Sequence, residues 1–423
     1  MTSGIVPRKL GILGALGPGI LVAATGVGAG DIASASFAGS FLGYTILWAA
    51  VLGAFIKFVV NEGLTRWQLA TGQTLLEGAA IRFGRPVQWF FLVYLLIWSF
   101  SVGTSLISAC GVAVHALVPV FDSPQSGKIV FGIAQSLIAL ALVLIGGYKR
   151  FEQLMTALLV MMFVTVIATA IAIRPHWRDV AAGLLVPRVP REHGRDGVLW
   201  TLAVMGGVGG TLTVLCYGYW IREQGRTGPE FLRLCRIDLG VAYAFTALFG
   251  VSMVIIGDGM NLAKGGGEAM MIRLAERLDQ TLGAPGRIAF LLGAWGAVFT
   301  SLLGVWQAVP YLFADFWNLW RRGRAVPVDT HSPPYRIYLF AIALVPMVGM
   351  RWNFQLVQKA NSVFGALVMP MLALALVIMN TRTSWIGRPF RNRPITVVVL
   401  MAILLFFAYA AYLTLKYGVA IVA

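Results

Sequence analysis

Apolar positions in this chain do not alternate with polar ones; they run on in unbroken stretches of about twenty residues, the length that spans a hydrocarbon core. Short polar or basic connections separate them. Read this way, the pattern predicts eleven membrane-spanning helices at about 12–38, 43–69, 87–117, 129–146, 151–173, 198–220, 238–257, 288–313, 335–350, 356–379 and 394–415. The fold class is therefore all-α and polytopic. Two of these spans contain glycine clusters that a continuous helix tolerates poorly. In the first, Gly26-Val27-Gly28-Ala29-Gly30 precedes Asp31; in the sixth, Gly206-Gly207-Val208-Gly209-Gly210 falls mid-span. Glycine weakens a helix by about 1 kcal/mol relative to alanine, so both spans are expected to open there. Carbonyls and N–H groups released at membrane depth must face protein or a water-filled cavity.

The two breaks hold the same ordinal position in successive groups of five spans. Five is odd, so the second group enters the membrane from the opposite side, and the repeat is inverted. The expected organisation is a first half over 1–173, an external loop over 174–197, a second half over 198–379, and a last span with the C-terminus over 380–423. Discontinuous helices at matching positions of inverted halves mark a central binding site and alternating access. Close packing through small residues is the competing explanation for glycines in a membrane bundle, and the chain has 48 of them.

Composition narrows the class. Hydrophobic residues make up 58% and charged residues only 12% of the chain, which leaves no soluble domain. The net charge of +16 lies between spans rather than along one face, so it reads as membrane topology and not as nucleic-acid binding. The basic residues concentrate on the side of the N-terminus, with Arg321-Arg322-Gly323-Arg324 the strongest cluster. The positive-inside rule then places the N-terminus in the cytoplasm and the C-terminus outside, in a multi-pass protein of the cytoplasmic membrane. Arg8 and Lys9 read as a cytoplasmic tail rather than a signal peptide. Cys110, Cys216 and Cys235 are widely spaced and read as small buried residues. No nucleotide loop, zinc signature or nucleophile–base constellation is present, so the chain is not expected to be an enzyme and no resident cofactor is implied.

Candidate chemistry collects at the breaks. Asp31 would begin the second half of the first span, where exposed N–H groups favour a carboxylate, as a cap or as a ligand for a cation. The backbone at Gly28 adds hard oxygen donors. At the sixth-span break the candidates are the backbone of Val208 and Gly209, the hydroxyls of Thr211 and Thr213, and Tyr217; Met205 and Cys216 read as packing. Lys57 and Asn61, and Glu62 and Arg66, form i,i+4 pairs in the second span. Glu62 and Arg66 are candidates for a coupling site or for a salt bridge closing a vestibule. Gln307 is a candidate substrate contact in span eight, and His115 a candidate proton group in span three. Asp258 and Asp315 read as a turn and an interfacial residue, and Trp89, Trp98, Trp317 and Trp320 as belt or packing.

Several of these stretches resemble the Nramp family of proton-coupled divalent-metal transporters, part of the group that shares the LeuT fold. The resemblance rests on Gly17-Pro18-Gly19, Ala38-Gly39-Ser40, Gly43-Tyr44-Thr45, Leu47-Trp48, Arg66, Thr71-Gly72 and Tyr148-Lys149-Arg150-Phe151-Glu152. It implies a LeuT-like fold of five plus five inverted spans and a metal site at the two breaks. The site itself departs from the family. Where the family reads Asp-Pro-Gly-Asn this chain has Gly28, Ala29, Gly30 and Asp31, and Leu212-Thr213-Val214 stands near the place of its Met-Pro-His. Losing the thioether removes a preference for soft metals. The resulting expectation is a secondary transporter of a hard divalent cation, Mg²⁺ or Mn²⁺, acting as a monomer in the lipid bilayer. An ion-coupled carrier of a small organic solute, such as an amino acid or amine, is the alternative, and a non-transporting sensor the third reading.

Overall fold

A computed structural model of the chain describes residues 17–28, 30–146, 148–188, 194–260, 262, 267–323 and 326–416. Arg8, Lys9 and Arg324 of the basic clusters lie outside them. Sixteen helices carry the architecture: α1 (Gly17–Gly26), α2 (Ala35–Leu42), α3 (Leu47–Thr71), α4 (Leu75–Phe83), α5 (Arg85–Leu117), α6 (Pro124–Ile145), α7 (Tyr148–Ala172), α8 (Trp177–Leu185), α9 (Gly194–Gly207), α10 (Tyr217–Glu223), α11 (Leu232–Gly257), α12 (Met270–Arg322), α13 (Pro333–Leu344), α14 (Phe354–Ala366), α15 (Val368–Thr381) and α16 (Pro394–Lys416). Among the described residues, ten helical stretches are long and apolar enough to cross a membrane. One of them, Asp31–Thr71, joins the second half of the first span to the second span, and the short apolar α1 supplies the first half. The fold is all-α and polytopic.

Helices are the expected outcome in lipid, because each backbone group finds its partner within its own segment. Large side chains such as Phe90, Val164 and Leu405 stay exposed on the outward faces, as a hydrocarbon solvent permits. Inside, small residues set the spacing. A Cβ on Gly39 of α2 would lie 2.3 Å from the Val254 carbonyl of α11, and one on Gly257 of α11 would lie 2.3 Å from the Ser36 carbonyl. Only glycine lets these two helices cross so closely. The first, second, sixth and seventh spans pack as one group: α11 lies against α1, α2 and α3, and α9 against α3. Around them α5 packs on α6, and α12 on α5, α7 and α1.

Three boundaries differ from the hydropathy pattern. The stretch 174–197, expected to be a loop, contains α8, which packs on α3 and on the turn Gly43–Ile46. Between the second and third spans lies α4, started by a capping box in which Thr74 and Glu77 satisfy each other's backbone N–H groups. The eighth span is the far part of α12, whose first 13 residues precede a bend at Gly283 (φ 70°). Each extra element is short and amphipathic, so a window tuned to twenty apolar residues passes over it.

Candidate functional site

Both predicted breaks are present. α1 ends at Gly26, and the chain resumes as one wide helical turn, Gly30–Ser34, before α2. α9 ends at Gly207; Gly209 and Gly210 take φ of 81° and 79°, in the left-handed region, and a tight turn Leu212–Cys216 leads into α10. The breaks face each other at backbone distance. A Cβ on Gly26 would lie 2.8 Å from the carbonyl carbon of Gly209, and one on Gly210 would lie 3.1 Å from Cα of Gly26. Span eight closes the third side. Thr300 and Ser301 of α12 donate their hydroxyls to the Ala24 carbonyl at 3.1 and 3.2 Å, and Ser301 fills the space where Gly28 lacks a side chain. Carbonyls freed at the end of α1 thus find protein donors, as lipid depth demands.

Asp31 lies in the gap with no exposed surface. Its Oδ2 accepts the Gly28 N–H at 3.2 Å, with the Gly209 amide beside the carboxylate. Among the described residues, Oδ1 has no hydrogen-bond partner, nor has the Thr25 hydroxyl at the end of α1. A buried carboxylate oxygen held open in this way is available to a cation.

Opposite it lies Lys57. Gly53 of α3 admits the Met205 backbone of α9 to within 2.9 Å of a Cβ position, and Lys57, one turn further along the same face, reaches the end of α9. Its Nζ donates to the carbonyls of Met205 at 3.2 Å and Gly206 at 2.9 Å, and closely to that of Val208. An ammonium has three donors, and three carbonyls take them all. These are last-turn carbonyls that a helix leaves unpaired, at the end where its dipole favours a positive charge. Lys57 and Asp31 act on each other electrostatically but make no direct ion pair within 4.0 Å. Asn61 is not the partner its spacing suggested: it donates to the Tyr243 hydroxyl of α11 at 3.1 Å.

The other candidates divide into those at the break and those elsewhere. Val208 and Gly209 line the gap, and the Thr213 hydroxyl stands 2.5 Å from a Cβ position on Gly210. Met205 contributes its carbonyl rather than its sulfur. Thr211 is engaged away from the gap, accepting the Trp98 indole N–H at 2.8 Å, so Trp98 is a buried partner and not a belt residue. Gln307 accepts the Trp220 indole N–H at 3.0 Å. Tyr217 donates to Asp238 at 2.9 Å. Glu62 bridges Arg66 at 3.3 Å and Arg236 at 2.8 Å, and Arg66 also donates to the carbonyls of Phe390 and Arg391. His115 is packed against Gly127 near the far end of α5. Asp315 is fully buried and accepts the Tyr219 hydroxyl at 2.6 Å.

Sequence reasoning named Lys57 only as a partner of Asn61, and it passed over Asp238 in α11. Its carboxylate takes the Gly19 N–H on both oxygens, at 3.0 and 2.9 Å, the Tyr217 hydroxyl, and Arg226 at 3.4 Å. It thus holds the start of α1 and the start of α10 to one point. An acid in the first third of an otherwise apolar span was the available signal. Among the described residues, no three His, Cys, Asp or Glu side chains come together as a metal cluster. The gap therefore offers one carboxylate, hydroxyls and backbone carbonyls: hard oxygen donors, suited to a cation that keeps part of its water shell.

Comparisons with known proteins bear on the family and the fold. A family model described as "Natural resistance-associated macrophage protein-like" (Nramp) matches residues 19–416. The chain is 27% identical over 285 residues to the divalent metal cation transporter MntH of Mycobacterium tuberculosis, an alignment covering 66% of this chain and 64% of that one. The match thus spans less than two thirds of that relative's length. In three dimensions the chain is similar to a manganese transporter of Eremococcus coleocola, with a TM-score of 0.72 at 16% identity over 97% of this chain and 88% of that one. It is also similar to MhsT in complex with L-phenylalanine, with a TM-score of 0.65 at 14% identity over 95% and 98% of the two chains. The chain thus has a LeuT-type fold with discontinuous helix segments.

Proposed function

The chain belongs to the Nramp family, and on that premise we propose that it is a secondary active transporter which carries a divalent metal cation across the membrane by alternating access. The observation that supports this most directly is Asp31: a carboxylate with no exposed surface, one oxygen unpartnered, set between two helix breaks that touch through Gly26 and Gly209. Cargo would be held by Asp31, by carbonyls at Gly28, Val208 and Gly209, and by the hydroxyls of Thr25 and Thr213. With no thioether or imidazole seen in the gap among the described residues, the preferred ions are hard ones, Mg²⁺ or Mn²⁺ rather than Cd²⁺. Glu62, Arg66 and Tyr217 belong to the polar networks around the moving helices, where coupling and gating are expected. The halves 1–173 and 198–379 supply one break each. The N-terminus is placed in the cytoplasm and the C-terminus outside, with a monomer as the working unit.

Uptake of ⁵⁴Mn²⁺ and competition by Mg²⁺ into proteoliposomes test the reading. Asp31→Ala should abolish saturable uptake while the protein still elutes as a folded species; unchanged uptake would remove Asp31 from the site, and a strong preference for Cd²⁺ would contradict the hard-ion assignment.

One observation favours a second reading, an ion-coupled carrier of a small organic solute. Lys57 balances the charge of Asp31, so the gap has no net charge with which to attract a dication. A thermal-shift screen of amino acids and amines against divalent salts separates the two, since only a ligand that binds the folded state raises its stability.

A further inference from the structure

We propose that Lys57 is a built-in competitor for the cargo cation: its ammonium occupies the helix-break carbonyls of Met205, Gly206 and Val208 when the site is empty of cargo, and it must leave them for a metal ion to bind. The inference rests on the reading of the two breaks as a cation site and names the residue that sets its affinity.

Lys57 is fully buried, ten residues into a 25-residue apolar helix. A charge at that depth needs compensation. A structural salt bridge would supply it by direct contact, yet Lys57 makes none with Asp31, whose Oδ1 stays unpartnered among the described residues. The lysine takes backbone carbonyls instead, at the mouth of the gap. Those carbonyls and that carboxylate oxygen are the donor types a hard cation requires. An ammonium and a metal ion cannot sit on them together, because like charges repel strongly where water is excluded.

The position also suits a displaceable group. Lysine carries its charge on a flexible four-carbon stem, unlike the rigid fork of arginine. Its distal carbons run beside Gly209, where a Cβ would lie 3.5 Å from Cδ of Lys57. The Tyr243 ring and the Thr246 methyl complete that wall, and among the described residues Asp31 is the carboxylate acting on the ammonium. With no cargo, Lys57 satisfies the end of α9 and keeps the dry gap neutral. With cargo, the ion replaces its charge and its bonds, so the break is never left with bare carbonyls.

The test is equilibrium binding of MnCl₂ and of MgCl₂ to the full chain in nanodiscs, by titration calorimetry, for wild type, Lys57→Met, Lys57→Gln and Lys57→Arg. Removing the charge should tighten binding at least tenfold in Lys57→Met. Lys57→Gln, which keeps amide donors for the carbonyls and so protects the fold, should show the same direction; Lys57→Arg should bind no more tightly than wild type. If wild type binds and neither uncharged variant binds more tightly, the competition is wrong while the cation reading stands. If wild type fails to bind and an uncharged variant does bind, Lys57 excludes divalent ions outright rather than yielding to them, and both the competition and the divalent-cargo reading fall. Binding to none of the four proteins overturns both.

Discussion

Asp31 and Lys57 show what a single residue reveals in the sequence and what it conceals. Asp31 was legible because its meaning is local: an acid next to glycines in an apolar run marks an opened helix whatever the rest of the chain does. Lys57 was legible as a polar position paired with Asn61 but not in its role. Helical spacing offers Asn61 as its neighbour, whereas its carbonyl partners lie 148 to 151 residues away. Only the meeting of two glycine breaks brings them together. That meeting makes a prediction at this scale. A Cβ on Gly26 would sit 2.8 Å from a backbone carbon that has no flexible end to move aside. Gly26→Ala should therefore cost about 1–3 kcal/mol, the usual range for overpacking, and lower the midpoint of thermal unfolding in detergent. A variant as stable as wild type would mean that the breaks have room between them.

At the scale of elements, long spans were readable from hydropathy and short amphipathic helices were not. α4 did leave a trace, Thr74 followed by Glu77 at capping-box spacing. α8 left less, since its burial comes from contacts with α3 that its own nine residues do not announce. The attachment of α1 is the element-scale feature with functional weight. α1 is a ten-residue helix cut off from the rest of its span at Gly26, so it relies on side contacts to stay in place. Asp238 of α11 grips its first turn through the Gly19 N–H and holds Tyr217 and Arg226 on the same carboxylate. Asp238→Asn removes the charge that orders this node. Expected is faster modification, several-fold, of a cysteine placed at Ile20 by a membrane-permeant maleimide. Cys110, Cys216 and Cys235 are all buried, which keeps the background low. An unchanged rate would show that α1 is held by packing alone.

Across the whole molecule, two sets of polar latches tie the helices around the breaks together. At the end holding α4 and α10, Glu77 pairs with Arg222 at 2.9 Å, and Asp315 binds Tyr219 and Thr74. At the opposite end, Glu268 joins Lys128 of α6, at 3.3 Å, to the Phe354 N–H that begins α14, while Ser34 and Ser362 meet at 2.7 Å between the first and tenth spans. None of this could be read from sequence, because each latch joins segments distant in the chain whose approach depends on the packed bundle. Under the proposed alternating access, one latch set opens while the other holds, since a path open at both ends would leak the gradient. Glu268→Gln weakens only the α6–α14 end and should shift the population toward a state open on that side. Glu77→Gln should do the reverse. A cysteine at Ser362, next to the Ser34 contact, reports the difference: an impermeant maleimide added from outside should label it faster in Glu268→Gln and more slowly in Glu77→Gln than in the otherwise native chain. Faster labelling in both would mean that the two ends open independently, and the scheme in which a single gap is offered first to one side and then to the other would fail with it.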